Sequence, residues 1–170
     1  RQAGGGHGAG AGRFAFQQIQ HCDVKPHRFL NRMHHVVQNL IQRLLAADSR
    51  NLPELPPESV HLVVTSPPYP MIAMWDGLFS TLDPRVGEAL ERGDGPSAFA
   101  AMHAQLDRVW GEVHRLLCPG GIACLNLGDA TRSIGGSFQL YSNHTRVLYS
   151  CLALGFQALP EIVWRKPTNA

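Results

Sequence analysis

The chain has 170 residues, of which 44% are apolar and 16% are charged, so it is large enough to form one globular domain or part of a larger one. This composition excludes a largely disordered protein, and the net charge of +2 permits nucleic-acid binding without requiring it. No apolar run reaches the roughly 18 residues of a membrane span and no signal peptide is visible, so we expect a cytoplasmic protein with no membrane partner.

The four cysteines and nine histidines form no pattern of metal ligands. No two cysteines have the spacing of a zinc site, and no HExxH motif occurs. The sequence therefore predicts no metal site.

The N-terminal stretch RQAGGGHGAGAG is rich in glycine, which predicts a flexible segment over residues 1–28. A phosphate-binding loop is the alternative, but no strand precedes the stretch and its glycines do not fit G-x-G-x-x-G. The chain starts at Arg1 instead of Met and stops shortly after a strand-like run, so we expect both ends to be cut from a longer sequence.

The spacing of apolar residues predicts helices and strands in alternation along the rest of the chain. Apolar residues between 30 and 44 recur at helical spacing, although 41–47 fits a short strand equally well, and both alternatives stay open. The remaining predicted elements are, in chain order, a strand at 60–64 buried on both faces, a loop at 76–96, a helix from Pro96 to about 116, a buried strand at 122–127, a helix at 143–154 and an edge strand at 156–164. This alternation predicts an α/β fold with a doubly wound, Rossmann-like parallel sheet.

Two segments follow the predicted central strands. Ser66, Pro67, Pro68 and Tyr69 come directly after the first, and Asp129 follows the second. In doubly wound sheets ligands bind beyond the carboxyl ends of the strands, so both segments are expected to face one crevice. Further along, Asn143 and His144 either face that crevice or simply begin the next helix.

The Ser-Pro-Pro-Tyr run has two plain explanations, a stiff exit turn and a polyproline ligand for a partner domain. The ligand would need exposure, whereas the preceding strand is expected to be buried. A chemical explanation covers all four residues: the prolines fix the backbone and remove two donors, which leaves carbonyl acceptors beside the Ser66 hydroxyl and the flat ring of Tyr69. The exocyclic amino group of a nucleobase offers the complementary N–H donors next to a ring that can stack.

The stretch TSPPYP, followed by MIAMWD, closely resembles the S-adenosylmethionine-dependent DNA amino-methyltransferases. The Ser form of their motif is typical of the cytosine-N4 branch, and the Asp form is typical of adenine-N6 enzymes. The stretches VHRLLCPGGIACLNLGDATR and SNHTRVLYSCLALGF also resemble the family, in the same order. The resemblance covers residues 42–170 and implies a partial methyltransferase catalytic domain within residues 29–170.

The resemblance implies a role for the motif residues, because Ser66, Pro67, Pro68 and Tyr69 match the family's catalytic motif one for one. Ser66 and the carbonyl of Pro67 would hold the target amino group, and Tyr69 would stack on the base. The methyl donor would be S-adenosyl-L-methionine. The partners would be double-stranded DNA with a flipped cytosine and a cognate restriction endonuclease system.

Two acidic residues are candidates for binding the cofactor. Asp48 stands where relatives often place an acid near the adenosine, or else it is a helix-terminating, solvated residue. Asp129 either lines the crevice or caps a turn. Four basic residues would either contact DNA phosphates or be solvated surface charges: Arg132, Arg146, Arg165 and Lys166.

The chain departs from the family pattern because it lacks the glycine loop F-x-G-x-G, which the resemblance places beyond residue 170. We nevertheless expect a site-specific cytosine-N4 DNA methyltransferase. The alternatives are an adenine-N6 enzyme of the same fold and a truncated remnant without activity.

Overall fold

The structure is a computed structural model that describes residues 43–163. The predictions for residues 1–42, for Arg165 and for Lys166 lie outside these residues. The elements are β1 (Val60–Thr65), a short 3-10 turn (Ala73–Trp75), α1 (Asp76–Leu82), α2 (Pro84–Glu91), α3 (Gly95–Leu116), β2 (Leu117–Leu125), β3 (Ala130–Ile134), β4 (Ser137–Tyr141) and α4 (Asn143–Ala153). The α/β fold predicted from the sequence is confirmed.

Helix α3 is the centre of the core. Its N-cap, Asp94, accepts a hydrogen bond from the backbone N–H of Ser97, and Pro96 occupies the first turn, as predicted. Apolar residues at steps of three and four then bury one face of the helix against α2, α4 and β2. The buried residues of α3 include Met102, Leu106, Val109, Trp110, Val113 and Leu116.

Strands β1 and β2 pair in parallel, and α3 connects them. One face of the pair carries Val60 and Val63, which are buried in the core. On the other face Leu62 lies opposite Ile122 and Val64 opposite Cys124, and Val64 is 57% exposed. The sequence predicted that both faces of β1 would be buried, but residues 43–163 cover only one of them.

Strands β3 and β4 form an antiparallel hairpin that the sequence analysis did not predict. Gly135 and Gly136 both have positive φ, as the type I′ turn of a tight hairpin requires. The base of the hairpin is fixed because the hydroxyl of Tyr141 lies directly over Gly95, where any side chain would collide with it. The hairpin thus extends from the end of β2 as an anchored ribbon.

The prediction of a loop at 76–96 was wrong, because α1 and α2 occupy most of it. Asp83 and Pro84, which look like turn residues, begin α2: the Asp83 side chain accepts from the N–H of Arg85. Phe79 and Val86 then hold the two helices against the core.

The prediction of an edge strand at 156–164 was also wrong for the residues that the structure describes, because residues 156–163 have no regular secondary structure. Residues 43–47 are neither helix nor strand. The end of α4 agrees with the prediction: Gly155 has φ +101, and Phe156 N–H bonds the Cys151 carbonyl at 3.1 Å. Between residues 43 and 163, no helix combines the length and apolar character needed to cross a membrane.

Candidate active site

The SPPY loop (residues 66–69) begins where β1 ends. The carbonyl of Thr65, the last residue of β1, still accepts a bond of 2.9 Å from the N–H of Asn126. The next three carbonyls, of Ser66, Pro67 and Pro68, accept no hydrogen bond from any residue between 43 and 163. The loop therefore presents the row of free acceptors that its prolines predict.

The two side chains of the loop that carry hydroxyls bond each other. Ser66 Oγ lies 2.9 Å from the Tyr69 hydroxyl, Ser66 is exposed and the Tyr69 ring is partly exposed. A serine hydroxyl has two acceptor lone pairs, so both remain available when Ser66 donates to Tyr69 and one remains when Ser66 accepts from it. Both side chains are thus accessible from solvent.

Gly128 sets the position of the Tyr69 ring from the second loop, which follows β2. A Cβ added at Gly128 would lie 3.2 Å from Cε2 of Tyr69, closer than ordinary van der Waals contact. The backbone of Gly128 therefore packs against the ring. The loops that follow the carboxyl ends of the paired strands β1 and β2 therefore contact each other, as expected from the sequence.

A strained turn follows the SPPY loop. Met71 has φ +67, and the N–H of Ile72 reaches back to the carbonyl of Tyr69 at 3.3 Å, so Met71 stands where a type II turn favours glycine. The Met71 side chain is buried, and its N–H donates to Sδ of Met102 at 3.3 Å. Packing against α3 holds the backbone in this unusual conformation.

Asn143 joins both loops to the core. Its Nδ2 donates to the carbonyls of Pro70, at 3.1 Å, and Gly128, at 2.9 Å. Its Oδ1 lies 3.0 Å from Nε2 of His103 on α3, and both side chains are fully buried. Burial lowers the pKa of His103 from 6.5 to about 4, although the hydrogen bond that the imidazole makes to Asn143 opposes the shift. The sequence indicated Asn143 only as an alternative and gave no sign of His103, because their contact joins distant segments.

Asp129 binds the start of α4. Its carboxylate accepts from the backbone N–H of His144 at 3.1 Å, and it lies 2.8 Å from Nδ1 of the same residue. Burial acts to raise the pKa of Asp129, but the bonds from His144 and Ser142 outweigh it and lower the pKa. These bonds agree with the alternative in which Asp129 caps a turn, here at the start of α4. Cofactor binding by Asp129 remains a prediction.

Asp48 forms an ion pair with Arg50, whose Nη2 lies 2.6 Å from Oδ2 of Asp48. The side-chain bond from Arg50 lowers the pKa of Asp48. Arg50 also donates to Gln105, one turn of α3 from Met102, so the Asp48 turn approaches the same part of α3 as Met71, which follows the SPPY loop. The proposed contact of Asp48 with the cofactor remains a prediction.

The described basic residues that were phosphate candidates are paired with carboxylates. Arg132 makes two bonds to Asp76, at 2.7 and 2.8 Å, and Arg146 bonds Asp107 at 2.6 Å. The bond to Asp76 raises the pKa of Arg132. A phosphate contact by either arginine would have to compete with its carboxylate.

The comparison with protein families decides the family of this chain. A model described as DNA methylase, of the N6_N4 class, matches residues 60–170, which include the SPPY loop and the Gly128 loop. The chain belongs to this DNA methylase family. The match supports the coarser resemblance found in the sequence and leaves open whether cytosine N4 or adenine N6 is the target.

Two relatives of this DNA methylase are described as Type II methyltransferases. M.MthZI of Methanothermobacter thermautotrophicus is 48% identical over 128 residues, which cover 75% of this chain and 36% of the relative. M.MjaI of Methanocaldococcus jannaschii is 44% identical, and the match covers 75% of this chain and 46% of the relative. The chain therefore spans less than half the length of these relatives.

A solved structure has a similar fold. TTHA0409 of Thermus thermophilus, described as a candidate DNA modification methylase complexed with S-adenosyl-L-methionine, is 29% identical with a TM-score of 0.50. The similarity covers 72% of this chain and 56% of TTHA0409. It supports the α/β fold of this methylase with its parallel strand pair.

Proposed function

We propose that this chain carries the target-base site of a site-specific DNA methyltransferase that uses S-adenosyl-L-methionine and methylates the N4 amino group of cytosine. The observation that carries the proposal is the SPPY loop, whose free carbonyls stand beside the accessible Ser66 hydroxyl and Tyr69 ring. Membership of the DNA methylase family supports the reaction class.

The loop would activate the amino group by accepting its hydrogen bonds. An exocyclic amino nitrogen is a poor nucleophile because its lone pair is delocalised into the ring. The Pro67 carbonyl and Ser66 Oγ would each accept one N–H, which draws the nitrogen toward tetrahedral geometry and localises the lone pair. Because the prolines hold these acceptors rigidly, little reorganisation is needed when the nitrogen attacks. The proton leaves after the methyl has been transferred, so no strong general base is required.

Tyr69 would hold the plane of the base. Stacking on an aromatic side chain contributes about 1–3 kcal/mol per base, and this helps offset the few kcal/mol needed to unstack and unpair the target nucleotide. The cytosine must leave the duplex, because its amino group cannot reach the SPPY loop while the base is stacked and paired. Double-stranded DNA is therefore the proposed partner.

S-adenosyl-L-methionine would supply the electrophilic methyl group. The neighbour TTHA0409 is complexed with this cofactor, which supports the assignment. Asp48 and Asp129 remain the candidate contacts, although Arg50 and His144 already occupy their carboxylates, so a cofactor contact would require exchange of these partners. The residues between 43 and 163 thus fit the base side of the reaction better than the cofactor side.

The relatives' designation as Type II methyltransferases supports a place in a restriction-modification system. In that case a restriction endonuclease with the same recognition sequence is the cognate partner, and both would act in the cytoplasm.

The test is methyl transfer by the protein encoded in the complete reading frame. DNA is incubated with radiolabelled S-adenosyl-L-methionine and digested, and the nucleosides are separated. We expect N4-methylcytosine and a loss of about 10²-fold or more in rate for Ser66→Ala, the range seen when one preorganised hydrogen-bonding group is removed. Ser59→Ala is the matched control, because Ser59 precedes the amino end of β1 and bonds Pro56.

Each outcome bears on a different part of the proposal. If the product is N6-methyladenine, the target base is adenine instead of cytosine, and the SPPY loop is still assigned as the target-base site. An unchanged rate in Ser66→Ala would remove the assigned mechanism. No transfer by the complete protein would favour the inactive remnant.

A further inference from the structure

Asn143, the first residue of α4, connects the two loops that follow β1 and β2. Its amide donates to the carbonyl of Pro70, which directly follows Tyr69, and to the carbonyl of Gly128, which packs against the Tyr69 ring. One buried side chain therefore fixes the backbone on both sides of the ring. No other side chain between residues 43 and 163 bonds both loops.

His103 fixes the orientation of the Asn143 amide from helix α3. Because Nδ2 of Asn143 faces two carbonyls, its Oδ1 must be the acceptor, and so the neutral imidazole carries its proton on Nε2 and donates it. The ring of Phe99 meets the imidazole edge-on, with centroids 4.4 Å apart. The imidazole is thus held in place by packing as well as by its hydrogen bond.

This arrangement has an energetic penalty. Nδ1 of His103 is buried and has no hydrogen-bond partner in the described part of the chain. A buried unsatisfied acceptor destabilises a fold, whereas apolar side chains of similar shape can fill such a space without that loss. Stability alone therefore gives no reason for a histidine here, whereas control of the Asn143 amide does.

We propose that Asn143 and His103 are positioning residues for methyl transfer. Asn143 sets the separation of the two loops and so the plane in which Tyr69 meets the target base, and His103 keeps the amide in the orientation that both carbonyls require. Neither residue is proposed to touch the base or the methyl donor. The inference rests on the proposed function, because it assigns Tyr69 to the base.

The first variant is Asn143→Leu in the complete protein, which keeps a similar shape and removes the amide. We expect kcat to fall by about 10²-fold, since a misplacement of about 1 Å at a reacting centre has an effect of this size, with KM for DNA changed by less than about threefold. His103→Gln can still donate to Oδ1 of Asn143, so its kcat should stay within about fivefold of the wild-type value. His103→Leu cannot donate, so its kcat should fall by about as much as that of Asn143→Leu.

Val113→Ala is the control for lost stability, because Val113 is buried further along α3 and bonds neither loop. It should lower the melting temperature and leave kcat unchanged well below that temperature. A wild-type kcat in folded Asn143→Leu would overturn the proposal. If that variant does not fold, equal kcat values for His103→Gln and His103→Leu would overturn it.

Failure of the proposed function can be recognised separately. If the wild-type protein transfers no methyl group, positioning is measured from the ring resonances of Tyr69 by NMR. These must shift in Asn143→Leu and stay in place in Val113→Ala. Unshifted Tyr69 resonances in Asn143→Leu would refute the positioning role without reference to catalysis.

Discussion

Protonation of His103 should destabilise the fold at mildly acidic pH. The pKa of His103 is lowered by burial from 6.5 to about 4, while Asn143 and Asp107 oppose the shift and Arg146 adds to it. Below pH 6.5 the unfolded chain therefore binds a proton that the folded chain does not, and stability falls as the pH drops. The free energy of unfolding should therefore fall by about 2 kcal/mol between pH 7 and pH 5, and it should fall further toward pH 4.

The measurement is urea unfolding of the chain at pH 7 and pH 5, followed by circular dichroism. His103→Gln is the control, because it removes the titrating ring and keeps a donor toward Asn143. The carboxylates with lowered pKa, such as Asp48 and Asp129, contribute stability that is lost only as the pH falls below about 3.8, so they do not act in this window. An equal loss of stability in wild type and His103→Gln would refute the reasoning.

Three substitutions test the packing around the site. Gly128→Ala should displace the Tyr69 ring, because its Cβ would lie 3.2 Å from Cε2, and reduce methyl transfer about tenfold with little change in melting temperature; an unchanged rate would argue against the contact. Gly95→Ala should destabilise the fold by about 1–3 kcal/mol, since the new methyl collides with Tyr141, and a thermal scan that shows no loss would contradict the anchored hairpin. Met71→Gly relieves a positive φ, which stabilises the fold by about 1–2 kcal/mol, but it removes a buried side chain that contributes about 1.5–3 kcal/mol. Chemical denaturation should therefore show a net loss of stability of up to about 2 kcal/mol. A clear gain in stability would contradict the role of Met71 burial.

The sequence predicted the elements whose signals are local. Helix α3 was recognised from its periodic apolar face and from Pro96, and the end of α4 was recognised from Gly155. The convergence of the two loops that follow β1 and β2 was also expected, because parallel strands bring their carboxyl ends together. These features depend on neighbouring residues and on one topological rule.

The missed features depend on ambiguous or long-range signals. Asp83 and Pro84 serve a turn or a helix start equally well, and only burial of Phe79 and Val86 selects the helices. The link between Asn143 and His103 joins residues that are far apart in the chain, and a single sequence gives no sign of it.

The open face of the β1–β2 pair makes Cys124 a chemical reporter. This thiol is exposed, whereas burial raises the pKa of the Cys151 thiol to about 11 and should keep it in the unreactive protonated form at neutral pH. Alkylation mapped by mass spectrometry should therefore modify Cys124 quickly in the 170-residue chain. Slow modification of the same cysteine in the protein from the complete reading frame would mean that other polypeptide shields this side of the strands.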